Sequence, residues 1–440
     1  MNILVIHNVE NMFETRKTIT DFIYSFQRQN PDDFYIYHRI MLPPTDAMRS
    51  VDWDLVIFDS TSLGIVTLRP RSRTAQIRDR YTFLRNTRAI KIAFPQDDAS
   101  CGGVLDLLLN WLQVDCVFSV RPEKKDLIYP ITSKSADFIS TYSGFIDDDD
   151  VERLKKHRRP YEARDYVIGQ RVTMYPAWGG RLSRLKGLMA QKFKQECIER
   201  ELPASISVDP SDTLNGNDWC TFLGNCKFII GAPGGHSVWD PYGVIQDSVN
   251  DYVAENPEAS FEEIEQACFL GLDGLHEFPG FGPRIFEAAI MGCGQVLIEN
   301  PYRGVIRPHE HYIPVAADMS NLDEAFTRMS DTGEVRAMID RAYTHLVESQ
   351  DFRISTMVKT VLDFFQSKAK LHKSPPLTRE QQKATEAAHK QSLARETLRL
   401  GRSEERLEGE PLTNWANRVL SGQISDPEEV NMLVRQNKEL

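Results

Sequence analysis

The chain has 440 residues, 41% hydrophobic and 26% charged, with a net charge of -11. It is long enough for two cores and a tail, because single cores rarely grow past roughly 250–300 residues. No apolar run approaches the ~20 residues that span a bilayer, and the acidic balance argues against a general nucleic-acid binder, which is normally basic.

Short β-branched runs recur at residues 2–6, 54–60, 90–94 and 116–120, with helical spacing between them over 12–27 and 104–112. Strands apolar on both faces that alternate with helices predict a parallel sheet covered on each side, and the right-handed crossover rule makes it doubly wound. The opening MNILVIHN lacks a basic n-region and is interrupted by Asn8, Glu10 and Asn11, so it reads as a first buried strand. Seven cysteines (Cys101, Cys116, Cys197, Cys220, Cys226, Cys268, Cys293), odd in number and without a CxxC pair, predict reduced core thiols in a cytoplasmic protein without a structural metal.

An acidic run at 147–150 passes into a basic segment at 155–159 and then Pro160, which places a first domain at 1–160 and a second at 161–345. The charge switch is either a hinge or a solvated helix end, and its basic half is a candidate for peripheral membrane association. Alternation then resumes: strands at 166–174, 206–208, 227–231 and 295–299, helices at 183–202 and 283–291. Ser260 with Glu263 forms a capping-box pattern, and Ser320 with Asp323 a similar one. Helical spacing over 334–365 predicts helices whose last part, 346–366, packs across both domains. Residues 367–440 are polar, with Pro375 and Pro376 and few large apolar residues beyond Leu398, Trp415, Val419 and Leu420. They read as a helical or partly disordered tail, either a solvated helix or an element that docks a partner.

Two motifs point to a phosphorylated ligand. FPGFGPRIFEAAIMGCGQVLIEN at 278–300 joins a glycine turn, a helix start and a buried strand around Glu287, and GRLSRLKG at 180–187 sets Arg181, Arg184 and Lys186 at a helix start after Gly180. Orphan N–H groups and the positive end of a helix, reinforced by Arg and Lys, suit a diphosphate, and a carboxylate accepts the two hydroxyls of a ribose. Where the diphosphate is the leaving group, the same cations stabilise the charge that develops on it. The structural alternatives are surface cations on an amphipathic helix for Arg181 and Lys186, and a buried ion pair for Glu287.

The loop at 231–243 holds Gly234, Gly235, His236, Ser237 and Asp240 between apolar flanks, and its small residues permit close backbone approach to a ligand. Gln96, Asp97 and Asp98 follow the strand at 90–94, and His7 and Asn8 follow the first strand, where doubly wound sheets bind ligands. Asp97 is a candidate acceptor-side base, with an ordinary acidic loop as the alternative. His309, Glu310 and His311 lack the i, i+4 spacing of a helical zinc site, and no nucleophile elbow or P-loop lysine is present.

These residues resemble GT-B glycosyltransferases, in particular the retaining family-4-like bacterial enzymes and the spore-maturation type of glycosyltransferase-like protein. The likeness covers roughly residues 165–345 and rests on GRLSRLKG, on PRIFEAAIMGCGQVLIEN and on DWCTFLGNCKFIIGAPGGHSVWDPYG at 218–243. It implies two Rossmann-like doubly wound domains facing a cleft, with a helical C-terminal extension, a nucleotide-diphospho-sugar donor, and no metal. The implied reaction transfers a sugar with retention to a hydroxyl of a glycan, lipid-linked or protein acceptor in polysaccharide assembly. By this resemblance Gly180, Arg181 and Lys186 meet the diphosphate, Glu287 the ribose, and Gly234, Gly235, Ser237, Asp240 and Arg284 the rest of the donor.

The family carries a first glutamate eight residues before the second, and this chain has Pro279 there. Glu277 then takes that place, or Arg284 and backbone amides hold the sugar. Glu277, Asp97 and His236 are the candidates for catalysis. The N-terminal glycine loop of the family is also replaced, by HNVEN. Two other readings stay open: a sugar-nucleotide epimerase or hydrolase, which needs no acceptor, and a non-catalytic nucleotide-sugar-binding or scaffold protein, which binds without turnover.

Overall fold

A computed structural model describes residues 1–10, 12, 15–67, 72–368 and 376–403; the expected tail beyond 403, with Trp415, Val419 and Leu420, lies outside them. The chain forms two compact units. The first comprises Met1–Gln96, Gly103–Ser140 and the segment from Val358 onward, and the second comprises Asp97–Gly102 and Thr141–Met357.

The first unit holds β1 (Asn2–His7), β2 (Phe34–Arg39), β3 (Leu55–Phe58), β4 (Ile90–Ala93), β5 (Cys116–Ser119) and β6 (Asp137–Ser140). They form one parallel sheet in the order β2-β1-β3-β4-β5-β6. Every residue of β1, β3 and β5 is buried, as central strands require when helices cover both faces. The helix expected from residue 12 runs Lys17–Gln29.

The Arg379–Ser403 helix belongs to this unit and is fastened by His389. The His389 Nδ1 lies 2.8 Å from the Thr45 hydroxyl, its Nε2 lies 3.3 Å from the Tyr37 carbonyl, and its ring stands 5.3 Å from that of His38. Burial lowers His389 to about 4 and His7 to about 3, so both rings are neutral at pH 7.

The second unit holds β7 (Tyr166–Arg171), β8 (Ala204–Ser207), β9 (Cys226–Gly231), β10 (Gly234–His236), β11 (Phe278–Gly280), β12 (Gly294–Ile298) and β13 (Ile313–Val315). Five of them build a parallel sheet in the order β13-β12-β9-β7-β8, and β10 and β11 form a separate antiparallel ribbon. Counted within its own unit, each parallel sheet contains the 2-1-3-4-5 order of a doubly wound fold, so the protein is built on two Rossmann-like domains. The order reverses between β1 and β3, and again between β7 and β9, and ligands of such sheets bind beyond the carboxyl ends of the strands at that point.

The charged segment near residue 150 is a helix, Asp148–Lys156, capped by Asp147 and packed in the second unit through Val151 and Leu154 beside Phe222 and Phe286. Three of its cations are paired within the unit: Arg153 with Asp150 at 3.0 Å, Lys155 with Glu152 at 3.6 Å, and Arg159 with Asp165 at 2.9 Å. The capping box of Ser260 and Glu263 forms. The similar cap expected from Ser320 and Asp323 does not, because Asn321 precedes the Leu322–Ser330 helix and its side chain accepts the Ala316 N–H instead.

The helical run expected over 334–365 is broken. Ile146 donates to the Phe352 carbonyl at 2.8 Å and accepts from Ile354 at 2.9 Å, an isolated bridge opposite Arg353 that lies between the π-turn Thr344–Glu348 and the Ile354–Lys368 helix. All seven cysteines are unpaired thiols. Among the described residues no helix is long and apolar enough to cross a membrane.

Candidate functional site

The Arg284–Met291 helix starts at Pro283, whose fixed φ suits the first turn, and stops at Gly292, which takes the left-handed conformation at φ 61°. Ile285, Phe286, Ala288 and Ala289 bury one side of it. A buried guanidinium holds its far end: Arg164 donates to the carbonyls of Met291 at 2.7 Å, Gly292 at 2.9 Å and Cys226 at 2.8 Å. A cation on the negative end of the helix dipole, with its N–H groups satisfied, fixes the helix against β9.

Glu287 therefore has a set position in the first turn. Its carboxylate accepts the indole N–H of Trp219 at 3.0 Å, and the Arg284 guanidinium stands 4.9 Å from the Trp219 ring centroid. Burial raises the Glu287 carboxyl above the usual range, while the Trp219 hydrogen bond and the charge of Arg284 favour its ionised form. Arg284 also donates to the Gln170 side-chain oxygen at 2.5 Å, and the Gln170 amide donates to the Ile230 carbonyl at 2.5 Å. Gln170 is near the end of β7 and Ile230 near the end of β9, so this group occupies the point where the strand order of the second sheet reverses.

The ribbon joins two stretches that are over 40 residues apart in sequence. Gly234 pairs with Gly280, Gly235 with Pro279 and His236 with Phe278. Pro279, which stands where the resemblance leads one to expect a glutamate, is thus a ribbon residue opposite Gly235, which sits at φ 101°. A Cβ on Gly234 would stand 2.9 Å from the Lys186 ammonium, so glycine is what lets this cation approach the ribbon backbone.

His236 is buried, with Nε2 3.1 Å from the Tyr175 hydroxyl, and its ring lies 5.4 Å from Tyr175 and 5.2 Å from Trp178. Burial, and then the negative charge of Asp97, push the Tyr175 hydroxyl well above its usual value. Asp97 is exposed in a segment tied to the second unit by the bond from Cys101 N–H to the Asp240 carbonyl at 3.0 Å. Asp97 and His236 therefore share a neighbour in Tyr175. Glu277 is exposed and immediately precedes β11. Asp240 starts the Val244–Glu255 helix, its two carboxylate oxygens accepting the N–H groups of Val244 at 2.9 Å and Gln246 at 2.8 Å.

The Gly180–Glu199 helix begins three residues earlier than its periodicity predicts, which places GRLSRLKG in its first two turns. Its first N–H groups already have partners. Leu182 donates to the Ser237 hydroxyl at 3.0 Å and Arg181 to the Asp273 carboxylate at 3.2 Å. The Arg181 side chain pairs with Asp273 at 2.8 Å and Glu265 at 2.6 Å. Gly180, at φ 79°, leaves room for both Ser237 and Asp273. The helix end expected to bind phosphate thus holds a carboxylate of the protein itself, with Asp273 4% exposed and Arg181 55% exposed.

The histidine pair at 309 and 311 is divided: His311 is buried and stacked on His345 at 4.5 Å, and His309 contacts Arg328. Among the described residues no three His, Cys, Asp or Glu side chains gather as they would around a metal ion. Sequence reasoning missed Trp219, Gln170, Arg164, Tyr175 and Asp273 as members of this region. Trp219 lies in the Asp218-to-Gly243 segment that carries part of the resemblance, and Asp273 stands between Gly271 and Gly274, so both had a local signal.

No family model and no curated protein matches the chain. It is similar to solved structures of GT-B glycosyltransferases. One is HepE of Anabaena in complex with UDP-glucose, 10% identical over 83% of this chain and 100% of that one, with a TM-score of 0.48. A second is an alpha-glucosyltransferase in complex with UDP-glucose and DNA containing an abasic site, 11% identical over 83% and 99%, with a TM-score of 0.48. A third is sucrose-phosphate synthase from Thermosynechococcus elongatus, 11% identical over 83% and 98%, with a TM-score of 0.43.

Proposed function

We propose that the protein is a glycosyltransferase whose second unit binds a nucleotide-diphospho-sugar and which transfers the sugar, with retention, to a hydroxyl acceptor in glycan assembly. The observation that carries this reading is the group Gln170, Trp219, Arg284 and Glu287 at the strand-order reversal between β7 and β9, beside a glycine ribbon that Lys186 approaches.

Glu287 would accept the ribose hydroxyls, and Lys186 and Arg284 would flank the diphosphate near the start of the Arg284–Met291 helix. In the reaction the bond from the anomeric carbon to the diphosphate oxygen breaks and a bond from that carbon to the acceptor oxygen forms. The electron pair of the broken bond goes to the diphosphate, where fixed cations stabilise it. The acceptor proton must also leave, and His236, Asp97 and Glu277 are the side chains proposed to assist it. No metal is required by this scheme.

A second reading, a nucleotide-sugar-binding protein without turnover, is favoured by two observations: Pro279 at the family glutamate position and Asp273 on the helix end that carries Arg181. One experiment separates the readings. Nucleoside diphosphate release is followed by chromatography with and without a panel of glycan and lipid acceptors. Release that depends on an acceptor is expected for the transferase; release without one means hydrolysis, and donor binding with no release under any condition means the binding protein.

A further inference from the structure

The first unit carries a cationic face that the donor site does not use. Residues 74–88 contain four arginines against one acid, Asp79, in a chain whose net charge is -11. Arg78, Arg80, Arg85 and Arg88 are exposed, and Arg49 is exposed beside them. The guanidinium carbons of Arg78 and Arg85 stand 5.6 and 5.8 Å from the Trp111 ring centroid. That of Arg49 stands 5.0 Å from the Phe83 centroid, and Arg49 also donates to the Arg80 carbonyl at 3.2 Å. Arg80 in turn donates to the Met41 carbonyl at 3.1 Å.

These contacts are to rings and backbone carbonyls, and among the described residues none of the five arginines meets a carboxylate. The contrast with Arg153, Lys155 and Arg159 in the second unit, each paired with an acid, is direct. Apolar groups accompany the cations. Leu107 lies one turn before Trp111 on the Gly102–Leu112 helix and is 51% exposed.

We propose that this face docks on an anionic phospholipid bilayer, with the arginines on headgroup phosphates and Trp111 and Leu107 at the headgroup level. Guanidinium groups around a half-buried tryptophan and an exposed leucine have the composition of a membrane-interface surface. A bilayer meets one face only, and screening limits the reach of charges elsewhere on the chain to a Debye length of ~8 Å. Each arginine near an anionic surface adds about five-fold to partitioning. The proposal is independent of the donor site, and its test uses no donor.

The full-length protein is sedimented with phosphatidylcholine vesicles with and without phosphatidylglycerol, at low and high salt. Binding only to the anionic vesicles, weakened by salt and by about 25-fold or more in the Arg85→Glu/Arg88→Glu variant, is expected. Vesicles with brominated acyl chains should quench tryptophan fluorescence, and the folded Trp111→Phe variant should lose that part of the quenching. Failure of the folded protein to bind anionic vesicles, or equal binding to both kinds, overturns the proposal. Tighter binding to a single-stranded oligonucleotide at matched phosphate concentration also overturns it and assigns the face to nucleic acid.

Discussion

The Asp273 carboxylate accepts both the backbone N–H and the guanidinium of Arg181, at 3.2 and 2.8 Å, across 92 residues of sequence. A diphosphate would compete for those same donors. Asp273→Asn keeps the side-chain shape and removes the charge, so it should tighten nucleoside diphosphate binding about tenfold, or roughly 1.4 kcal/mol. Calorimetric titration of both proteins tests this. Unchanged or weaker binding in the variant would mean that this helix end takes no part in holding the ligand.

Gly180→Ala should destabilise the fold. Its Cβ would stand 2.4 Å from the Ser237 hydroxyl and 2.6 Å from an Asp273 oxygen, at a backbone φ of 79° that side chains rarely adopt. Backbone strain of this kind costs about 1–3 kcal/mol. Urea unfolding should report that loss.

The buried histidines predict acid sensitivity in the first unit. The His389 value lies near 4 in the native state against 6.5 in the unfolded chain, so between these values the unfolded chain binds more protons. Stability is therefore present above pH 6.5 and is lost as pH falls toward 4, by about 3 kcal/mol from His389 alone. Protection factors of the amides in the Arg379–Ser403 helix, taken against the intrinsic rate at each pH, should fall between pH 7 and pH 5. Equal protection at both values would contradict the docking through His389.

Asp59 works in the opposite sense. Burial raises its carboxyl to about 6 from 3.8, despite the bonds it accepts from Ser62 and Thr61. The native state keeps this proton longer than the unfolded chain, so its contribution is present below pH 3.8 and is lost as pH rises through about 6. Asp59→Asn should remove that loss, and denaturant midpoints from pH 4 to 7 should fall less with rising pH in the variant than in the native protein.

The elements that could be read from the chain are those with one dominant local signal. β1, β3 and β5 are runs of buried apolar residues, and Ser260 with Glu263 carries its cap in four residues. FYIYHR mixes aromatics with His38 and Arg39, so β2 carries no single local signal, and at the edge of the sheet it is covered by distant groups such as His389 against Tyr37 and His38. The ribbon strands, GGH and FPG, contain glycine and proline, which local propensity disfavours; only their pairing makes them strands.

The same distinction holds at the site. Glu287, Lys186 and Gly180 stand in short motifs, so their residue types and spacing were visible. The partner of Glu287 is Trp219, 68 residues away, and the buried Arg164 acts on carbonyls 127 and 128 residues away. The glycines flanking Asp273 mark a turn but not its role: what it does depends on where the Gly180–Glu199 helix begins, and that start is set by contacts from Ser237 and Asp273 themselves.

The most direct test of the donor site is calorimetric titration of the folded protein with a panel of nucleotide-diphospho-sugars, repeated with Glu287→Gln and Arg284→Ala. One nucleotide family should bind, and Glu287→Gln should weaken it by about ten- to a hundredfold, since hydrogen bonds to a charged group contribute roughly 1.5–3 kcal/mol. Absence of binding by any nucleotide sugar, or binding that neither substitution changes, would contradict the assignment of Glu287 and Arg284 to the donor.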